Sequence, residues 1–256
     1  MKSAIQPKAG TCFFERDPDL SLIRRATAEG VGTLLLMLAA TGSGLTVNQF
    51  IPESPLFGLI VSVVGTAGAL TSLIVAFGSV SGGHFNPLIT LLQCLGNERS
   101  LQCTAAYLFG QFAGAIAGAF SANAIFGAGV QSKHPVSMIV HLAASEFVAA
   151  AALMIVVFAC TRSGRSETGP FAVGAWLAAA IMATPSHCYA NPAIVCAALF
   201  AAGPIALSAI GILVYASAEI AGALLAFVIV GIVYPQRGAD HRVASGQILP
   251  ARESLS

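Results

Sequence analysis

Six apolar runs, at about 26–46, 57–78, 102–126, 138–160, 169–185 and 206–234, constrain this chain more than any other feature. Each approaches the roughly 20 residues that a helix needs to cross the ~30 Å hydrocarbon core of a bilayer. Composition agrees. Only 9% of residues are charged and 56% are hydrophobic, whereas a soluble domain is about 25% charged. Backbone groups inside lipid must bond to one another, so the runs are expected to be helices. The expected class is therefore an all-α membrane protein, multi-pass, with the lipid bilayer as its solvent. The net charge of +1 gives no basic surface for nucleic acid. Residues 1–20 contain no long apolar run, so no signal peptide is expected. The six cysteines form no CxxC pair and lie mostly in apolar runs, where a thiol acts as a small hydrophobe.

Basic residues set the orientation. With a cytoplasmic N-terminus, Lys2, Lys8, Arg16, Arg24, Arg25, Arg99, Arg162, Arg165, Arg237, Arg242 and Arg252 all fall inside, and only Lys133 falls outside. Six spans then leave both termini cytoplasmic. The expected divisions are a cytoplasmic tail at 1–25, a membrane domain at 26–234 and a second tail at 235–256.

Two further apolar runs, 86–95 and 191–202, are only half as long, and both begin Asn-Pro. With six spans, the first enters from the cytoplasm and the second from outside. The halves around them resemble each other. AEGVGTLLLM (28–37) parallels SEFVAAAALM (145–154), GHFNPLI parallels YANPAIV, and YLFGQFAGA (107–115) parallels YASAEIAGA (215–223). Three spans per copy is an odd number, so the copies, about 26–126 and 138–234, must lie in opposite senses. Short segments at matching positions of an inverted repeat point to a site near the midplane. The expected fold is thus six transmembrane helices plus two re-entrant half-helices in an inverted 3+3 repeat.

The Asn-Pro pairs have a specific physical meaning. Asn is a strong N-cap, and Pro suits the first helical position because no donor is lost there. Asn86-Pro87 and Asn191-Pro192 should each start a helix. With the carbonyl oxygen used in capping, the amide N–H groups can face a cavity. The helix N-termini add partial positive charge, which favours water or hydroxyl groups and repels cations.

These residues resemble the major intrinsic protein family, the aquaporins and aquaglyceroporins. The carriers are SGGHFNPLITL, YANPAIV, Glu29 and Glu146 near the starts of spans 1 and 4, and YLFGQFAGA. The similarity covers roughly residues 26–234. It implies a homotetramer with one pore per subunit, passively conducting water or small neutral solutes, without cofactor or metal and without enzymatic activity. It also implies an inner (plasma) membrane location. Asn86 and Asn191 would be the central donors of the boxes completed by Pro87, Leu88, Pro192 and Ala193. Glu29, Glu146 and His84 would support the loops that lead into the half-helices.

Departures from the family bear on substrate. Leu88 stands where Ala is usual and should pack behind the half-helix or narrow the pore slightly. Ile194 stands where the family almost always has Arg. By spacing from the boxes, the other filter positions fall on Thr66, Ala179 and Cys188. Such a ring is wide and weakly polar, and it lacks the five donors and fixed charge of a guanidinium. A similar loss of the filter Arg occurs in bacterial channels linked to arsenic resistance, which pass arsenite and methylated arsenicals, and this branch is the expected one. The rival readings are a water-selective aquaporin and, from another class, an ion channel or ion-coupled transporter. The latter is suggested by the missing filter Arg and by Glu219, an acid the family does not usually carry there, opposite Gln111 in the repeat. Glu219 is expected to be buried and hydrogen-bonded.

Overall fold

The computed structural model describes residues 20–130, 139–165 and 167–234. The tail expected at 235–256, residues 1–19 of the first tail, Lys133 and His134 lie outside the described residues. Among those described there are eight α-helices: α1 Leu22–Phe50, α2 Pro55–Ser81, α3 Pro87–Leu95, α4 Leu101–Phe126, α5 Ile139–Arg162, α6 Gly169–Ala183, α7 Pro192–Ala197 and α8 Ala209–Val233. A single 3-10 turn occupies Gly203–Ile205. Five helices are long and apolar enough to span a membrane. The sixth, α6, has 15 residues, roughly 22 Å at about 1.5 Å per residue. It ends at Ala183, and its C-cap Thr184 is extended just before Pro185, because the residue before a proline is disfavoured in the helical region. At the other end of the chain, α1 already begins inside the expected N-terminal tail, so Arg24 and Arg25 are helical.

The repeat is visible in the packing. Within the first half α1 lies along α4, and within the second α5 lies along α8. Small residues set both approaches. A Cβ on Gly114 would collide with the carbonyl oxygen of Gly30 in α1; one on Gly222 would collide with the carbonyl oxygen of Phe147 in α5. Gly30 and Phe147 each follow the repeat's glutamate, so the same backbone contact recurs at equivalent places in the two copies. Between the halves, α2 packs on α6. Arg162 at the end of α5 bonds Glu98, in the segment after α3, at 2.7 Å. Burial pushes the Glu98 carboxyl above its ordinary value, against the opposing pull of Arg162 and Arg99.

The second half-helix is shorter than its apolar run. It was expected to extend over 191–202, yet α7 stops at Ala197 after six residues, roughly 9 Å. The chain then tightens, with Leu199 N–H donating to Cys196 and Phe200 N–H to Ala197. Asn123 of α4 clamps the exit. Its Nδ2 donates to the Phe200 carbonyl at 2.8 Å and its Oδ1 accepts from Ala202 N–H at 3.0 Å. Gly203 follows with φ +74 and then Pro204, which together stop any continuation.

Candidate functional site

Asn86 and Asn191 are the N-caps of α3 and α7. The Oδ1 of Asn86 accepts from Leu88 N–H at 2.9 Å and that of Asn191 from Ala193 N–H at 3.1 Å. Pro87 and Pro192 occupy the first helical positions. The two half-helices meet N-terminus to N-terminus through a reciprocal clasp. Asn86 Nδ2 donates to the Ala190 carbonyl at 2.7 Å, and Asn191 Nδ2 donates to the Phe85 carbonyl at 2.8 Å. An amide nitrogen carries two donors, so each Asn keeps one for the cavity that both side chains line.

The clasp depends on unusual backbone. Phe85 and Ala190, the residues before each Asn, have φ of +46 and +43. Left-handed backbone at a residue with a Cβ is disfavoured, at a cost of order 1–3 kcal/mol. Two buried glutamates hold it. Glu29 Oε1 accepts from His84 N–H at 3.0 Å and from Ser81 Oγ at 2.6 Å; Oε2 accepts from Phe85 N–H at 2.7 Å and from Gln111 Nε2 at 2.8 Å. Glu146 Oε1 accepts from Tyr189 N–H at 3.0 Å and Oε2 from Ala190 N–H at 2.8 Å. Each carboxyl therefore gathers the irregular loop that precedes one half-helix, and satisfies donors that would be orphaned at membrane depth. In the first loop Gly82 and Gly83 supply the turn, with φ of +91 and +62. The second loop has no glycine in those places and uses His187 and Cys188, with φ of +60 and +54.

The cavity has a volume of about 290 Å³. Its wall includes Val47, Pro55, Thr66, His84, Asn86, Ile89, His187, Cys188, Asn191, Ile194 and Pro204. Among the described residues no Lys, Arg, Asp or Glu lines it. Thr66, Cys188 and Ile194 thus share one wall. Ala179 does not join them: it is exposed on the outside of α6, and Leu177 and Ile181 line the cavity instead. Residues 173, 177 and 181 repeat every four positions and share a helix face, whereas 179 lies two residues from that stripe and points away. Spacing from the second Asn-Pro box alone could not register this, because the loop between α6 and Asn191 sets the phase.

Leu88 is buried behind the half-helix, in the core rather than on the cavity wall; Ala193 is likewise buried. The His84 ring lines the inner part of the cavity but bonds side chains rather than loop backbone. Its Nε2 accepts from Arg99 Nη2 at 3.3 Å, which leaves Nδ1–H to donate to Thr90 Oγ1 at 2.9 Å. His187 adjoins the expected filter position Cys188 but is not among the expected filter residues. Its ring is exposed on the cavity wall, with Nδ1 3.2 Å from the Ile181 carbonyl oxygen. The signal available in the sequence was its place one residue before Cys188. Among the described residues no group of three His, Cys, Asp or Glu is placed to hold a metal. Glu219 is fully buried, accepts Asn191 N–H at 2.8 Å, and does not line the cavity.

Two half-helices capped by asparagine, meeting inside an inverted repeat around an uncharged cavity, define a membrane channel for small neutral solutes. Comparison with known proteins assigns the family: the model for major intrinsic proteins matches residues 18–188, and the chain belongs to the major intrinsic protein family. That match stops three residues before Asn191, so the second Asn-Pro box rests on the geometry above. The chain is 34% identical to the aquaglyceroporin AqpS of Rhizobium meliloti over 188 residues, 71% of this chain and 78% of that protein. It is 31% identical to aquaporin NIP3-1 of rice (Oryza sativa subsp. japonica) over 66% of this chain and 56% of that protein. Its fold matches an X-ray structure of the aquaglyceroporin from Plasmodium falciparum with a TM-score of 0.70, at 17% identity, over 82% of this chain and 96% of that one.

Proposed function

We propose that the pore is a wide, arginine-less channel for neutral solutes larger than water, with arsenite, methylated arsenicals and glycerol-like polyols as the solute class and water as a co-permeant. The supporting observation is Ile194, on the cavity wall directly after Asn-Pro-Ala, beside Thr66 and Cys188 and with no charged side chain on that wall. Leu177 or Ile181 completes the ring from α6. Such a ring lowers the penalty for admitting bulky neutral solutes with some apolar surface, because no guanidinium must be approached or displaced. Asn86 and Asn191 offer amide N–H groups to solute hydroxyls. Pro87, Leu88, Pro192 and Ala193 hold those amides in place.

The protein sits in the inner (plasma) membrane with both termini cytoplasmic, an orientation that the distribution of Lys and Arg supports. It assembles as a homotetramer. Outward side chains such as Phe109, Val64 and Leu213 are exposed and suit lipid or a neighbouring copy. The ion-channel reading loses one of its two supports, since Glu219 stays off the cavity wall, and the two asparagine-capped helix N-termini disfavour cations. Purified protein in proteoliposomes is expected to carry glycerol and arsenite without solute-dependent current at fixed voltage; a current proportional to solute would overturn the neutral-solute reading.

Cys188 gives a separate handle on the pore. Mercurials are expected to block solute flux in the wild type, and Cys188→Ser is expected to conduct without being blocked. Inhibition that persists unchanged in Cys188→Ser would remove this thiol from the conducting path.

A further inference from the structure

We propose that Glu219 is a positioning residue for Asn191, and that it does this as one half of a buried carboxyl pair with Glu146 holding a single proton. The inference rests on the reading of Asn191 as a pore donor. It comes from comparing the two copies of the repeat. In the first, Gln111 of α4 donates its amide N–H to Glu29, the glutamate that gathers the loop. In the second, the equivalent of Gln111 is Glu219 of α8, whose Oε1 accepts from Asn191 N–H at 2.8 Å, the backbone donor next to the Ala190 N–H that the equivalent glutamate, Glu146, accepts at 2.8 Å. Two ionised carboxylates are acceptors only and cannot bond to each other. Both side chains are fully buried.

Glu146 accepts from Tyr189 N–H and Ala190 N–H, and the Ser186 hydroxyl is a further donor to it. Glu219 accepts from Asn191 N–H through Oε1, while its buried Oε2 finds no donor. An orphaned oxygen here is costly for a carboxylate and is resolved by a proton. The titratable groups facing Glu219 are Glu146 from α5, Cys188 and Tyr189 from the loop, Cys196 from α7 and Tyr215 from α8. None supplies a positive charge. Cys94, the one titratable residue of α3, lies at the end of that helix away from Asn86. Two buried carboxylates held on neighbouring backbone N–H groups without a cation do not both ionise, and one proton is retained between them. With that proton, Glu219 acts toward Glu146 as Gln111 acts toward Glu29, and its other oxygen fixes the N–H of Asn191.

The test uses Glu219→Gln and Glu219→Leu in the full chain. Glu219→Gln reproduces the amide of the first copy and removes the need for a proton. It is expected to keep solute flux within about twofold of wild type, whereas Glu219→Leu, which orphans the N–H of Asn191, is expected to lose flux by about tenfold or more. Infrared difference spectra of wild type minus Glu219→Gln at neutral pH are expected to contain the carbonyl stretch of a protonated carboxyl, sensitive to deuterium exchange. Absence of that band from the wild type, or its survival in Glu219→Gln, overturns the shared proton. Loss of flux in a folded Glu219→Gln equal to that in Glu219→Leu overturns the positioning role. The infrared result stands whichever solute the pore carries, and it still decides the matter if Glu219→Leu does not fold. A wild type that carries no solute would instead count against the channel reading.

Discussion

Ile194→Arg is expected to reduce glycerol and arsenite permeation by about tenfold or more, a barrier increase of at least ~1.4 kcal/mol, while water continues to flow. Ile194 is 5% exposed, and that exposure is on the cavity wall. An arginine there would carry five donors and a fixed charge into the width now left by a branched aliphatic side chain. A neutral solute would have to pass beside a strongly solvated cation rather than an apolar surface. Stopped-flow light scattering on matched proteoliposomes measures both rates. If large-solute permeation is unchanged in Ile194→Arg, the constriction does not lie at this ring.

Glu29→Leu is expected to yield no conducting channel and a large loss of folded, monodisperse protein. The carboxyl accepts four hydrogen bonds, from Ser81, His84, Phe85 and Gln111. Leaving a buried donor without a partner costs about 1–3 kcal/mol each, so the sum approaches the whole stability of a typical domain. The left-handed backbone of Phe85 also loses its restraint, and with it the carbonyl that receives Asn191. Size-exclusion profiles and thermal melts in detergent measure the effect. A Glu29→Leu protein that melts within a few degrees of wild type would show that the loop holds itself.

Much of this fold was legible because lipid makes the code simple. Long apolar runs had to be helices, and Asn-Pro before a half-length run had to be a capped helix start. The repeated glutamates were legible as partners for irregular backbone. What the sequence hid was phase and termination. Ala179 was placed by spacing from the boxes, but the helical register puts Leu177 and Ile181 on the cavity wall. Residues 198–202 remained apolar, so nothing in their hydropathy marked the end of α7; the stop comes from Asn123, 79 residues before Ala202, and from Gly203-Pro204. The clasp between the asparagines was also hidden, because its acceptors are backbone carbonyls of residues 104 and 106 positions away. Side-chain patterns carry no sign of such a bond. The left-handed Phe85 and Ala190 were equally invisible, since neither residue type favours that conformation.

The most direct test is the ratio of arsenite to water permeability in one batch of wild-type proteoliposomes. A wide pore without a filter arginine is expected to carry arsenite and glycerol well above the rate of protein-free vesicles, with water flow alongside. Fast water flow with arsenite and glycerol at the protein-free rate would contradict it, and would make this chain a water-selective channel despite Ile194.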